Sequence, residues 1–151
     1  ASGELVLWSV DSSREVSDSN ALLSPDVHRI ALANPRLAPY GTAAAEALNE
    51  LGLLAKLSGK LVQGENIAQT FQFVESGNAQ LGFVARSQVL SLTEIRAGAT
   101  WVVPDHLYRP IRQDAVLLNR AIGCQVCSEF LSFLREDAQL ALISASGYRV
   151  D

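Results

Sequence analysis

The sequence predicts an α/β protein built on a mixed, mostly parallel sheet that is flanked by helices. Short apolar runs typical of buried strands alternate with helical patterns through the middle of the chain, and this alternation favours parallel strands joined by helices. Residues 33–48 and 62–74 each combine a strand end, a tight turn and the first turns of a helix. Such helix starts present unpaired backbone N–H groups, so two of them aimed at one point predict an anion site.

The composition excludes several classes of partner. The 151 residues suit one domain, and 48% hydrophobic with 19% charged residues is ordinary for a globular protein. A net charge of -4, with 12 scattered Lys and Arg residues, argues against a nucleic-acid partner. A small anion stays compatible because backbone dipoles can hold it. We find no apolar run long enough for a membrane span and no signal peptide in the chain as given.

The first elements are predicted from local pattern. Residues 4–10 have the β-branched and aromatic content of a buried strand, and the Ser- and Asp-rich residues 11–20 predict a loop. A short helix or turn follows over 21–27. Residues 28–33 form an apolar run typical of a strand that is buried on both faces.

The first helix start lies at Ala-Pro-Tyr-Gly, residues 38–41. Asn34 and Pro35 end the preceding strand, strong helix formers fill residues 41–48, and Leu51-Gly52 is typical of a helix end. Small residues in the first turn let an oxyanion approach the backbone closely. Alanines that merely propagate a helix explain this segment alone equally well.

The second helix start follows a short strand over 60–62 and a turn over 64–66. Asn66 is a good N-cap, and the amide of Ile67 is then one of the unpaired donors. Gly77-Asn78 is expected to end the helix. The buried stripe of this helix consists of Ile67, Phe71 and Val74.

The remaining elements follow in order. Residues 80–85 predict another buried strand, in which Gly82 suggests close backbone approach. A helical turn is expected over 87–92, a strand over 100–103 and a further strand over 112–118. A single helix is predicted from 124 to 145, stopped by Gly147. Its apolar face consists of Cys127, Phe130, Leu131, Leu134, Ala138 and Ala141.

The two cysteines, Cys124 and Cys127, form a single Cys-Gln-Val-Cys motif. They are a poor metal set because His28 and His106 are far away in sequence. Structural thiols or a local disulfide are the favoured interpretation. A thiol oxidoreductase remains an alternative, since a predicted strand over 115–118 precedes the pair.

Other catalytic patterns are weak. Glu46 and Glu65 could be an acid and base pair, but solvated helix and turn glutamates explain them better. No nucleophile elbow, phosphate-cradling Gly-Lys-Ser/Thr loop or His-Glu-x-x-His helix occurs in the sequence. We therefore predict a protein that is not an enzyme.

Three motifs together point to a known family. The segments APYG with its helix, GENIAQTFQFV and GNAQLGFVARSQ resemble, in that order and spacing, the molybdate-binding protein of bacterial ABC importers. That family consists of periplasmic solute-binding proteins of type II with two α/β lobes hinged around a cleft. The resemblance implies that residues 1–9 are a strand from the first lobe or hinge, 10–110 the second lobe, and 111–151 the return strand and C-terminal helix of the first lobe.

The resemblance also implies a site. The backbone N–H groups of Tyr40 and Ile67 match positions that bind molybdate or tungstate, with Pro39, Gly41 and Asn66 as supporting turn residues. No metal ion or cofactor is implied, the partner is the membrane permease of an ABC importer, and the location is periplasmic. Molybdate only accepts hydrogen bonds at neutral pH, so neutral donors suffice to bind it.

The N-terminal segment that builds most of the family's first lobe has no counterpart here, so this chain is expected to hold half of the site. Another chain, a homodimer or a domain swap would then complete it. A folded, oligomeric remnant that no longer binds is a further alternative. Exposed apolar surface is expected on the last helix and on Val6, Trp8 and Val116.

Overall fold

The computed structural model describes residues 1–92 and 98–150. A five-stranded sheet occupies its centre and consists of β2 (Leu5–Ser9), β3 (Ile30–Ala33), β4 (Leu61–Gly64), β5 (Leu81–Ala85) and β6 (Ala99–Val102). The strand order is β4-β3-β5-β2-β6. The strand β3 pairs in parallel with β4 and β5, whereas β2 runs antiparallel to β5 and β6. Only β2 opposes the common direction, so the prediction of a mixed, mostly parallel sheet is confirmed.

Six α-helices accompany this sheet in the described residues: α1 (Pro39–Glu50), α2 (Leu54–Leu57), α3 (Ile67–Glu75), α4 (Arg86–Leu90), α5 (Gln125–Phe133) and α6 (Asp137–Ala145). The predicted turn over 21–27 is a short 3-10 helix, Ser19–Leu23. None of the helices in residues 1–92 and 98–150 is long and apolar enough to cross a membrane.

The two faces of the sheet carry separate apolar clusters. Leu5, Leu7 and Phe83 pack with the alanine-rich face of α1 in one cluster. Val6, Trp8 and other residues pack beneath α3 and α4 in the second cluster. Because both faces are covered, every residue of β2, β3 and β5 is buried, which explains why these strands are continuous apolar runs.

Burial of the second face corrects one expectation. Val6 and Trp8 were expected on exposed apolar surface, but both are 0% exposed. The Trp8 ring stacks on Phe71 of α3 with ring centroids 4.7 Å apart. The expectation holds for Val116, which is 79% exposed.

A second, small sheet was not predicted. It consists of β1 (Ser2–Gly3), β7 (Ile111–Arg112) and β8 (Tyr148–Arg149), in the order β7-β1-β8 with antiparallel pairing throughout. Strands of two residues are too short to show an alternating pattern. The division of the chain at residues 9 and 110 stays a prediction, although β2 lies in the same sheet as the strands of the middle segment.

Two predictions for the C-terminal part were wrong. The strand over 112–118 is reduced to β7, and residues 113–116 are exposed without a partner strand among the described residues.

The single helix over 124–145 is interrupted between α5 and α6, where Glu136 is extended as the N-cap of α6. Neither helix has a buried residue, so no core packing enforces one continuous helix. Acidic Asp137 in the first turn favours a new helix start. The predicted stop at Gly147 is consistent with its φ of 88°.

We predict that Gly82→Ala destabilises the fold. A Cβ atom at this position would lie 2.4 Å from Val74 Cγ2, so the close approach inferred from the sequence is to a side chain of α3. Overpacking of this kind typically costs about 1–3 kcal/mol in the free energy of unfolding, measurable by urea denaturation. Gly59→Ala is the matched control, because a Cβ atom there meets nothing within 4 Å. Equal stability of the two variants would contradict the packing argument.

Candidate functional site

The candidate site lies where β3 and β4 end side by side. The two strands are parallel neighbours, with Ala33 opposite Gly64 at their C-terminal ends. The N–H of Asn34 donates to the carbonyl oxygen of Gly64 at 2.7 Å, which ties the two ends together. Since α1 follows β3 and α3 follows β4, both helices start at the same edge of the sheet. The predicted pair of helix starts is therefore present.

The start of α1 leaves one backbone donor free. Ala38 is the extended N-cap and Pro39 occupies the first helical position, where it brings no N–H group. The N–H groups of Gly41 and Thr42 both donate to Ala38 O, at 2.9 and 3.1 Å. No acceptor for the Tyr40 N–H is found in the described part of the chain. That amide is available to a ligand at the helix N-terminus.

Gly41 lets α1 start directly against the end of β3. A Cβ atom on Gly41 would lie 2.2 Å from the carbonyl oxygen of Ala33. Only glycine therefore permits this approach of helix and strand. This packing accounts for a glycine at the position, and the supporting role that the resemblance implied for Gly41 stays a prediction.

The start of α3 is capped as predicted. The Asn66 side chain accepts a hydrogen bond from Gln69 N at 2.9 Å, and Gln69 Oε1 in turn accepts from Glu65 N at 2.7 Å. The first bond satisfies one unpaired donor of the first turn, and the second fixes the residue before the cap. Among residues 1–92 and 98–150 we find no acceptor for the N–H groups of Ile67 and Ala68. Both amides are free at the helix start.

Two long-range contacts that begin just after β5 were not predicted. Gln88 of α4 accepts from Ala85 N at 3.1 Å and donates from Nε2 to Ile67 O at 3.4 Å, so it links the ends of β5 and α3. Arg86 donates to the Glu4 carboxylate at 2.7 Å. Although Arg86 and Gln88 lie within the GNAQLGFVARSQ motif, their partners are remote in sequence. The positive charge of Arg86 is thus already paired at this edge.

The Tyr40 side chain joins the site to the small sheet. A Cβ atom on Gly3 of β1 would lie 2.2 Å from the Tyr40 hydroxyl oxygen, so the ring packs directly beneath that strand. Burial, followed by the proximity of Tyr148, Tyr108 and Glu4, raises the pKa of Tyr40 to about 12. Burial also raises the pKa of Tyr108, whose hydroxyl oxygen accepts a hydrogen bond from Leu5 N at 3.2 Å. Both hydroxyl groups are neutral at physiological pH.

The candidate acid Glu46 is engaged elsewhere. Its carboxylate accepts hydrogen bonds from Arg109 N at 2.9 Å and from Arg109 Nε at 2.6 Å, on the flank of α1. These hydrogen bonds to Arg109 lower the pKa of Glu46. An ionised, paired carboxylate is poorly suited to donate a proton, so the pairing argues against an acid role for Glu46.

The two cysteines are joined in the structure. Cys124 and Cys127 form a local disulfide, one of the two favoured expectations, although residues 115–118 before it are not a strand.

A groove of about 890 Å³ lies between α5, α6, β8 and residues 113–115, and neither Tyr40 nor Ile67 lines it. The expected exposure of the last helix is present at Val126, Phe130, Phe133 and Leu142.

Comparisons with known proteins give consistent relatives. The model of the family "Bacterial extracellular solute-binding protein" matches residues 1–149. The chain is 44% identical over 148 residues to molybdate-binding protein ModA of Rhodobacter capsulatus, covering 98% of this chain and 57% of that protein. It is 43% identical over 149 residues to ModA of Azotobacter vinelandii, covering 98% of this chain and 59% of that protein. The chain thus spans less than two thirds of the length of these relatives.

Solved structures agree on the fold. The Azotobacter vinelandii periplasmic molybdate-binding protein superimposes with a TM-score of 0.88 at 33% identity, over 100% of this chain and 66% of that one. The substrate-binding domain of a putative molybdenum ABC transporter from Clostridium difficile gives a TM-score of 0.81 at 26% identity, over 99% of this chain and 65% of that one. The mixed α/β sheet flanked by helices is therefore the architecture of this group.

We predict that Tyr40 ionises far above its ordinary pKa of 10.0, near pH 12, because burial disfavours the phenolate. The raised pKa means that its contribution to stability is complete below pH 10 and is lost as the pH rises through 12. The measurement is the phenolate absorbance of the wild type minus that of Tyr40→Phe, with circular dichroism to verify the folded state. A difference curve with its midpoint near pH 10 in folded protein would refute this burial effect.

Proposed function

We propose that this chain, which belongs to the family of bacterial extracellular solute-binding proteins, binds molybdate or tungstate for uptake by an ABC importer. The observation that carries the proposal is the pair of free backbone amides, Tyr40 N–H and Ile67 N–H, at one edge of the sheet. The names of the relatives from Rhodobacter and Azotobacter support the same class of ligand. The protein acts by binding alone, performs no catalysis and needs no cofactor.

The chemistry of the edge favours a fully deprotonated oxyanion. Helix N-termini carry partial positive charge and offer N–H donors, and both features suit a dianion. Arg86 is already paired with Glu4, and the free donors at the two helix starts are neutral backbone amides. A donor-only site accepts molybdate, whereas protonated phosphate also needs an acceptor for its hydrogen. Molybdate and tungstate are larger than sulfate, so the size of the site then distinguishes them from it.

Tyr40 and Ile67 supply part of a coordination shell. A tetrahedral dianion has four oxygens that each accept hydrogen bonds, so further donors must come from outside this edge. We propose that the other lobe of a two-lobed, periplasmic protein supplies them, in agreement with the greater length of the relatives. A second copy of this chain, by homodimerisation or domain swapping, is the alternative source. The importer permease is the proposed macromolecular partner.

We predict that Ile67→Pro weakens molybdate binding by about 10- to 150-fold, the equivalent of one charge-assisted hydrogen bond. Proline removes the N–H yet fits the first helical position, and the extended Asn66 before it, at φ -146° and ψ 175°, tolerates a following proline. Ile67→Ala is the matched control, since it trims the side chain and keeps the amide. Titration calorimetry with molybdate, sulfate and phosphate compares the three proteins.

Amide chemical shifts extend this test to weak binding. On titration of the 151-residue chain with molybdate to millimolar concentration, we expect the Tyr40 and Ile67 amide resonances to move, and to move less with sulfate or phosphate. If neither resonance responds to any oxyanion, the chain is a folded remnant that does not bind. If the response is equal for all three anions, the proposed selectivity is wrong.

A further inference from the structure

The disulfide between Cys124 and Cys127 joins the N-cap of α5 to the third residue of the same helix. A crosslink that closes so short a loop restricts the unfolded chain least, so it stabilises less than one between distant segments. The helix it belongs to has no buried residue, and the bond therefore fastens no core element. Stabilisation of the fold alone is a poor explanation for this pair.

The disulfide lies partly exposed in the described part of the chain. Both half-cystines are partly exposed. Their neighbours Ile122 and Val126 are 76% and 74% exposed, so this helix start lies at the surface of the described part of the chain. Thiol–disulfide exchange requires such access, because the attacking sulfur must reach the bond in line.

The helix start distinguishes the two cysteines electrostatically. The N–H of Cys127 donates to Cys124 Sγ at 3.3 Å. Cys124 therefore lies where the free N–H groups of a nine-residue helix concentrate positive charge, and the first turn carries no acidic side chain. A thiolate at Cys124 would be stabilised by this bond and by the helix dipole. Cys127 lies one turn further into the helix and lacks this position.

We infer that the Cys124–Cys127 pair is a reversible thiol–disulfide exchange site in which Cys124 is the nucleophile of the dithiol form. Its reaction partners are disulfides in the oxidising direction and dithiols in the reducing direction. This inference is independent of oxyanion binding, because it rests on α5 and not on the edge formed by β3 and β4. Each complete exchange transfers two electrons per protein molecule, and the pair is a modification site.

The exchange is balanced as follows. The Cys124 thiolate attacks one sulfur of a partner disulfide, the partner S–S bond breaks, and its other sulfur leaves as a thiolate. Cys127 loses its proton to solvent and attacks Cys124 Sγ in the mixed disulfide, so that the second partner sulfur leaves. The pair gives up two electrons, which the partner disulfide gains. Reduction by a dithiol is the reverse of these steps.

Both redox states are compatible with the same helix start. The hydrogen bond from Cys127 N to Cys124 Sγ can be made to a disulfide sulfur and more strongly to a thiolate. The cap of α5 therefore survives reduction, and cycling between the states does not require the helix to unfold.

The first test is competitive alkylation of the wild-type chain. The folded protein is reduced with dithiothreitol, freed of reductant and pulsed at pH 7 with a limiting amount of iodoacetamide, and peptide mass spectrometry compares the two cysteines. We expect Cys124 to be labelled about tenfold faster than Cys127, and the ratio to approach one in urea, where the helix start is lost. Equal labelling in the folded state, a preference for Cys127, or a ratio unchanged by urea would each overturn the inference.

The second test follows exchange itself. With oxidised glutathione as the partner disulfide, Cys127→Ser should trap a mixed disulfide on Cys124 about tenfold faster than Cys124→Ser traps one on Cys127. The reduced wild type should close its disulfide again under the same conditions. Circular dichroism at matched concentration verifies that the variants are folded. A wild-type disulfide that dithiothreitol reduces only in denaturant would show a fixed structural bond and overturn the inference.

Discussion

The parallel pairing of β3 with β4 is the constraint on which the rest of the candidate site depends. Parallel neighbours end at the same edge of a sheet, so the helices that follow them must also start there. The bond from Asn34 N to Gly64 O sets the two ends side by side. At both ends a glycine allows contact that a side chain would block: Gly41 against Ala33 O, and Gly64 against Thr70 Oγ1, where a Cβ atom would lie at 2.2 and 2.7 Å. Backbone geometry therefore sets the donor positions.

The electrostatics of the edge follow from which charges are already paired. Arg86 is bound to Glu4, and Arg109 is bound to Glu46 on the flank of α1. The buried tyrosine hydroxyls stay neutral because burial raises the pKa of Tyr40 and of Tyr108. In a protein with a net charge of -4, the two helix starts at this edge thus offer neutral backbone donors with partial positive charge.

Local sequence signals made the middle of the chain predictable. Features that depend on contacts between residues distant in sequence could not be predicted. Asn66 before an apolar helical stripe, and Ala-Pro-Tyr-Gly before an alanine-rich run, identified both helix starts because capping is a local property. The contact between Gln88 and Ile67 joins separate elements, so no sequence pattern announces it. Burial of Trp8 depends on Phe71 from α3 covering that face. The C-terminal helix was predicted too long because its apolar pattern packs on no core in the described residues.

The small sheet gives the fold an order of assembly. Its central strand comes from residues 2–3, and the neighbours come from residues 111–112 and 148–149, so its contacts join segments that are far apart in sequence. All pairings of the five-stranded sheet lie within residues 5–102. Contacts of large sequence separation carry the greatest loop-closure entropy. During synthesis all strands of the larger sheet are made before β7 and β8, so β1, which packs against the Tyr40 ring, gains its two partner strands only after them.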